Sequence, residues 1–395
     1  MTLNQTPSSE RVHIGIFGKR NAGKSSLINA LTNQNLAIVS DIKGTTTDPV
    51  LKSMELLPLG PVVLIDTPGL DDLGALGEMR IKKAYQMLNK TDLALLVVDA
   101  FVGTTTEDLA ILEQIQKKGI PYIIVWNKAD LVTTDIPKQL APVEIEVSTK
   151  THQNIEELKD AMAKLIHTPK KQRQIIGDLL TPGDFVVLVV PIDASAPKGR
   201  LILPQQQTIR DILDAKATAI VVKDTELKET LDKLNHLIKL VITDSQAFQT
   251  VAQLVPRNIP LTSFSILFAR YKGNLTTVTA GAYALDELQD GDTILISEGC
   301  THHRQCDDIG TVKLPNLIRK YTGKKINMEF TSGTEFPEVI HNYKMMIHCG
   351  GCMLNEREMN FRLQCAENQH IPITNYGTAI AHMNGILNRS LEIFL

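Results

Sequence analysis

The sequence predicts an α/β protein of parallel sheets wrapped by helices, in three successive domains, and three observations carry that expectation. Short apolar runs alternate with longer amphipathic stretches through the first 165 or so residues. A glycine-rich loop joins the first of these runs to a stretch with helical spacing. Two further alternations follow a polar break near residue 170, and at 395 residues the chain is long enough to bury several cores.

In the first domain, residues 1–168, the runs are "VHIGIFG" (12–18), "VVLID" (62–66), "LALLVVD" (93–99) and "YIIVWN" (122–127). Their unbroken apolar character suits strands covered on both faces. Around "HTPKKQRQIIGD" (167–178) polarity rises and periodicity stops, so a solvated linker bearing Lys170, Lys171 and Arg173 is expected. A second domain, 178–262, alternates "FVVLVV" (185–190), "TAIVV" (218–222) and "KLVITD" (239–244) with helical stretches. It has no phosphate loop, and so small a unit is expected to complete its sheet by pairing with a second copy. The third, 263–395, opens near "FSILFARYKG" and holds all five cysteines.

Forty-one basic and 44 acidic side chains leave a formal charge of −3, so no overall pull toward nucleic acid or anionic lipid is implied. No run of eighteen apolar residues occurs, and the opening "MTLNQTPSSE" lacks an apolar signal core. The expectation is a cytoplasmic protein with no membrane span. An odd number of cysteines late in such a chain suggests metal or redox chemistry more than disulfides.

"GKRNAGKSS" starts at Gly18, directly after the first strand, and runs into the helical "SLINALTNQ". This is G-x-x-x-x-G-K-S in the strand, loop, helix context the motif needs. Gly18 and Gly23 let the backbone curl so that amides of the Asn21, Ala22 and Ser26 stretch face phosphate oxygens, and the helix N-terminus adds its positive end. Lys24 would reach the β and γ phosphates, and the Ser25 hydroxyl would ligate Mg²⁺. "DTPG" places Asp66 at the magnesium shell and Gly69 where its amide can meet the γ phosphate. "NKAD" (127–130) and "VSTK" (147–150) complete a base site. Asp130 accepting from N1 and the exocyclic amine, with Asn127 on the O6 side, selects guanine, and Lys128, Ser148 and Thr149 line the same edge. Trp126, the single tryptophan, reads as core packing at a strand end.

From Gly18 to about Lys150 the chain resembles the translation-factor-related GTPases. "GTTTDP" (44–49) is similar to the switch segment of TrmE-like and Era-like GTPases. That likeness implies that Thr46, with Thr45 or Thr47 as alternatives, closes over Mg²⁺ when the γ phosphate is present. Leu70 stands where many signalling GTPases carry a water-orienting glutamine. Asn21 matches the asparagine that binds K⁺ against the phosphates in TrmE-like proteins. The resemblance therefore implies slow hydrolysis stimulated by K⁺, with Lys24, Thr46, Asp66 and Gly69 as its catalytic groups.

In the third domain, "ILISEGCTHHRQCDD" (294–308) reads as a strand ending at Gly299 that releases Cys300 into a loop. "MMIHCGGCMLNEREMNFRLQC" (345–365) reads as a strand, a Gly-Gly turn and a helix starting near Met353. Cys349 and Cys352 then lie at an amide-rich turn that favours thiolate. Cys365 lies about 20 Å further along the helix, at roughly 1.5 Å per residue, too far to share a metal. Cys300, Cys349 and Cys352 remain, with His302, His303, Cys306, Asp307 and Asp308 around them. With His302 they would make a closed zinc site, whereas with a weak fourth ligand they would hold a 4Fe-4S cluster. Spacing leaves both open.

Cys-Thr-His at 300–302 and "HCGGC" at 348–352 behind this GTPase motif resemble the maturation GTPases of FeFe-hydrogenases, the HydF family, over the whole chain. That resemblance implies a P-loop GTPase domain, an α/β dimerisation domain and a 4Fe-4S domain with Cys300, Cys349 and Cys352 as ligands. It implies a homodimeric scaffold that receives a di-iron unit from two radical-SAM maturases and passes it to immature FeFe-hydrogenase. A scaffold that must release its cargo favours a labile fourth ligand, Asp307 ahead of His302, unless the Cys306 thiolate takes that place. His348 is expected to orient the loop rather than ligate. The rival expectation is a TrmE-like or Era-like GTPase acting on tRNA or ribosome with a zinc-stapled tail; against it stand the near-neutral charge and the lack of a basic, aromatic-interleaved stripe after residue 264. A redox enzyme would need a second cofactor motif, and none is evident.

Overall fold

The computed structural model describes residues 6–34, 49–70, 75–133, 140–166, 173–192, 201–299, 308–333, 336–337 and 339–395. It divides into two compact units, Met1–Lys171 and Gln172–Leu395.

The first unit holds β1 (Val12–Phe17), β2 (Val50–Leu56), β3 (Gly60–Asp66), β4 (Leu93–Asp99), β5 (Tyr122–Asn127) and β6 (Glu144–Glu146). They form one sheet in the order β2-β3-β1-β4-β5-β6, parallel except for β2. The four apolar runs of the sequence are β1, β3, β4 and β5, buried on both faces between α1 (Lys24–Thr32), α2 (Ala75–Met87), α3 (Thr106–Lys117) and α4 (Ile155–Ile166). The sequence reading lacked β2 and β6. β2 is an edge strand with alternating exposure, and β6 has three residues, so neither presents a continuous apolar run. Because β3 lies on one side of β1 and β4 on the other, the chain reverses direction across the sheet at β1, which opens a crevice at the carboxyl ends of β1 and β4.

The second unit contains two all-parallel sheets of four strands. One is β10-β9-β7-β8, from β7 (Phe185–Val189), β8 (Thr218–Val222), β9 (Ile238–Thr243) and β10 (Leu261–Ser263). The other is β12-β11-β13-β14, from β11 (Thr293–Ser297), β12 (Asn327–Thr331), β13 (Met345–His348) and β14 (Ile373–Asn375). Around them run α5 (Leu203–Asp214), α6 (Leu227–Leu234), α7 (Phe248–Leu254), α8 (Phe264–Lys272), α9 (Leu275–Tyr283), α10 (Leu314–Thr322), α11 (Glu356–Asn368), α12 (Tyr376–Met383) and α13 (Leu387–Leu391).

The second unit departs from the sequence expectation at its outer strands β12 and β14, which carry no continuous apolar run, and in two further features. The middle sheet is larger than expected because the short "LTS" segment adds to β9 as β10. Its β8 remains an outer strand with Val221 exposed. The segment 264–273, expected to open the third domain, is α8, which contributes Leu267 and Phe268 to one core and Ala269 to another. One helix thus serves both sheets. Among the described residues no helix is long and apolar enough to cross a membrane.

Candidate functional site

β1 ends in the crevice, and the loop after it carries Gly18 and Gly23, both at positive φ (141° and 95°). A Cβ at Gly18 would press on the Val97 carbonyl of β4, which fixes how tightly the loop turns. Gly23 is the N-cap of α1 and, having no side chain, gives the helix's first amides no side-chain cap. Asn21 is exposed, also at positive φ, while Ala22 is buried. Lys24 is buried, its Nζ donating to the carbonyls of Gly18 (2.8 Å) and Lys19 (2.9 Å), so the ammonium lies along the inside of the loop. Ser26 continues the first turn of α1.

Asp66, the last residue of β3, faces this turn, and Ser25 Oγ donates to its Oδ2 at 3.0 Å. Its other oxygen, Oδ1, is buried with no hydrogen-bond partner among the described residues. Burial raises the Asp66 pKa above the usual carboxylate range, opposed by the Ser25 hydrogen bond and by Lys24. A buried carboxylate oxygen left unpaired beside a serine hydroxyl is a donor set that suits Mg²⁺. Gly69 packs against the loop, where a Cβ would lie 2.9 Å from Arg20 Cβ. Leu70 is buried in the core beside β3 and offers no polar group.

The segments expected to read the base meet through Asn127. Its Nδ2 donates to Ala22 O at 2.8 Å, joining the end of β5 to the phosphate loop, and its Oδ1 accepts from the Thr149 amide. Ser148 Oγ donates to Asp130 Oδ1 at 2.7 Å, leaving the exposed Asp130 carboxylate oriented by one oxygen. Lys128, at positive φ, pairs with Asp99 at 2.6 Å. Trp126 is buried and donates from Nε1 to Glu144, which marks it as part of the strand's packing. The structure brings these three stretches together at one end of the sheet; Thr45, Thr46 and Thr47 lie outside the described residues.

In the second unit, β11 and β13 pair in parallel with Ser297 opposite His348, which brings the two cysteine segments side by side. Cys349 Sγ accepts from the amides of Gly299 (3.1 Å) and Gly351 (3.4 Å). Among the described residues, nothing lies within 4 Å of where a Cβ at Gly350 would be. Lys272, at the end of α8, donates to the carbonyls of Cys352 (3.2 Å) and Leu354 (3.1 Å). Burial pushes the Cys352 thiol pKa up, while the nearby Lys272 ammonium and local backbone amides pull it down. The helix after the turn begins at Glu356, not near Met353, because Asn355 caps it by accepting from the Glu358 amide. Among the described residues no three His, Cys, Asp or Glu side chains gather as a metal site. Cys300, His302, His303, Cys306 and Asp307 lie outside the described residues.

His348 is fully buried and its pKa falls to about 3, first through burial and then through Arg362. Its Nδ1 donates to Cys349 O at 2.7 Å, and its Nε2 accepts from Arg362 at 3.0 Å. Both ring nitrogens are engaged, which leaves neither for a metal. Asp308 caps the turn before α10 by accepting from Thr311, and Cys365 lies on α11 against the core. Sequence reasoning missed Lys272 and Arg362, which in one dimension read as ordinary basic residues. The signal for Arg362 was its i,i+4 spacing from Glu358; Lys272 carried none.

The amide bonds to Cys349 and the Lys272 cation fit an anionic cluster, since both favour thiolate sulfur. Two of the three expected thiols lie in this described turn.

Family models match three segments. Residues 13–128 match a 50S ribosome-binding GTPase, 175–273 the hydrogen maturase F dimerization domain, and 276–393 the hydrogen maturase F tetramerization domain. The last two together span more than half of the chain. Among curated proteins, the tRNA modification GTPase MnmE of Moorella thermoacetica is 46% identical over 142 residues, 34% of this chain and 29% of that protein. MnmE of Aquifex aeolicus is 36% identical over 159 residues, 40% of this chain and 35% of that protein. The chain thus spans about a third of the length of these relatives. Among solved structures, Era in complex with MgGDPNP and a 16S ribosomal RNA fragment is 19% identical, covering 57% of this chain and 98% of that one at a TM-score of 0.36. Elongation factor SelB of Methanococcus maripaludis is 24% identical, covering 43% of this chain and 36% of that one at 0.34. The first unit has the P-loop GTPase fold, with its parallel sheet and phosphate loop.

Proposed function

From the premise that this chain belongs to the hydrogen maturase F family, we propose that it is a GTP-hydrolysing scaffold for the di-iron unit of FeFe-hydrogenase. Cys300, Cys349 and Cys352 hold a 4Fe-4S cluster, with Asp307 ahead of His302 as a labile fourth ligand. The cargo arrives from two radical-SAM maturases and leaves to the immature hydrogenase. The protein works in the cytoplasm as a homodimer, which light scattering reads directly; the "dimerization" description over 175–273 and the exposed outer strand β8 support self-association.

The observation that carries the reading is the Cys349 thiol receiving two glycine amides at the meeting of β11 and β13, in a chain that also presents a phosphate loop. When bound, the cluster supplies an iron with an exchangeable position. The chain's own part is to hold sulfur as thiolate and to keep His348 off the metal. Protein purified and reconstituted without oxygen is expected to carry about four irons and four sulfides per chain, the count of one 4Fe-4S cluster. Cys300→Ala should lose that content and its EPR signal. One tightly held zinc and no iron would overturn the reading and favour a GTPase acting on RNA.

In the first unit, Ser25 and the free Asp66 oxygen position Mg²⁺, Lys24 neutralises phosphate charge, and Asp130 with Asn127 selects guanine. Thr46 closes the magnesium shell. Leu70 supplies no water-orienting group, so charge between the β and γ phosphates must be met otherwise, and the exposed Asn21 lies on the loop where K⁺ can do so. GTP turnover is expected to be at least tenfold faster in potassium than in sodium buffer, and Asn21→Ala should erase the difference. Equal wild-type rates in the two salts would refute this part.

A further inference from the structure

Behind the Cys349 turn sits a guanidinium that the chemistry above leaves unused. Arg362, on α11, is 1% exposed and is the largest fully buried side chain among the described residues. Its Nη1 donates to His348 Nε2 (3.0 Å) at the end of β13, and to Ser297 Oγ (3.4 Å) and Glu298 O (3.5 Å) at the end of β11. Its Nη2 donates to Gly333 O (2.6 Å), just beyond β12, and to Glu358 Oε1 (2.8 Å) one helical turn earlier. The ring of Phe336 lies 5.0 Å from the guanidinium carbon.

Packing alone does not call for such a group. Apolar residues of similar volume commonly replace a buried ion pair at no loss of stability. What only a planar fork of donors supplies here is simultaneous attachment to several strand ends. Two of these strands lead into the cysteine segments: β11 runs toward Cys300 and β13 into Cys349. Arg362 also fixes which nitrogen of His348 carries the proton. With Nε2 accepting from Arg362, Nδ1 is the donor, and it donates to Cys349 O.

We propose that Arg362 is a positioning residue for the cluster, locking the His348 tautomer and the β11 and β13 ends so that the Gly299 and Gly351 amides point at Cys349 sulfur. The proposal rests on the cluster reading above. Amide hydrogen bonds to cluster sulfur favour the more negative, reduced state, so they raise the reduction potential. Glu358 offsets the charge of Arg362, which makes the effect one of geometry more than of net charge.

Three proteins test this after anaerobic reconstitution: wild type, Arg362→Lys and the double variant Arg362→Met with Glu358→Met. The lysine keeps the charge but loses the fork. The double variant removes the ion pair whole and leaves no orphaned carboxylate. Both variants are expected to bind iron and sulfide, with the reduced cluster disfavoured about tenfold, a fall of about 59 mV in a one-electron midpoint potential. Their EPR g-values should move with it. Unchanged potential and spectrum in both variants would overturn the proposal, with Arg362 then only filling the core. Loss of iron together with a collapsed melting transition would overturn it equally. Wild-type protein that takes up no iron would instead overturn the cluster reading itself, and the proposal with it.

Discussion

Replacing Asp66 by asparagine is expected to slow magnesium-dependent GTP hydrolysis by about 10²–10³-fold, the usual cost of removing one fixed electrostatic group from a charged transition state. The nucleotide-free protein should at the same time become more stable at neutral pH. The carboxylate is buried, one oxygen has no partner among the described residues, and burial raises its pKa above that of the unfolded chain. A carboxyl group with a raised folded pKa binds its proton more tightly in the folded state. Its contribution is therefore fully favourable below the unfolded pKa and is lost as pH rises through the folded value. Asparagine keeps the shape and can still accept from Ser25, but it carries no charge to desolvate. The melting temperature of the variant without nucleotide should exceed that of wild type at pH 7, and the gap should close near pH 4. Lower variant stability at pH 7 with normal turnover would mean that Asp66 is a structural hydrogen-bonding group and not a magnesium ligand.

Gly23→Ala should cost GTP affinity about a hundredfold, close to 3 kcal/mol. Two effects act together. The residue sits at φ 95°, where a side chain is strained by roughly 1–2 kcal/mol. The new Cβ would also run into Asn127 Nδ2, breaking the buried bond from that amide to Ala22 O, worth about 1–3 kcal/mol when a partner is left unpaired. One methyl group thus disturbs both the phosphate loop and the Asn127 side chain. Iron content after reconstitution should be unchanged, because the cysteine turn belongs to the other unit. Calorimetric titration with GTP and an iron assay on the same sample read both results. GTP affinity within threefold of wild type would show that the contact between Gly23 and Asn127 yields easily.

The nucleotide site was legible because its parts are short and local. The loop from Gly18 to Ser25 is specified by the residues that need its backbone, and the strands that carry Asp66 and Asn127 announce themselves as unbroken apolar runs. The pattern also placed a thiol-rich turn at Cys349 and Cys352. It misplaced the following helix by about three residues, since Met353 and Leu354 look helical until Asn355 is seen to cap. It missed β2, β6, β10, β12 and β14, which lie at the sheet edges and carry no continuous apolar run.

By itself the sequence determined a P-loop GTPase fold on a doubly covered sheet and paired cysteines after a strand. Tertiary structure alone decided what surrounds those cysteines. Gly299 reaches Cys349 across 50 positions of chain, Lys272 reaches Cys352 across 80, and Arg362 reaches back 65 to Ser297. No local spacing encodes such contacts. They exist because parallel pairing of β11 with β13 sets Ser297 beside His348, and because helices α8 and α11 pack on the face of those two strands. A lysine and an arginine that look like solvated charges in the sequence become buried donors there. Once out of water they must be hydrogen-bonded, and the groups within reach are the backbone and side chains of the cysteine turn.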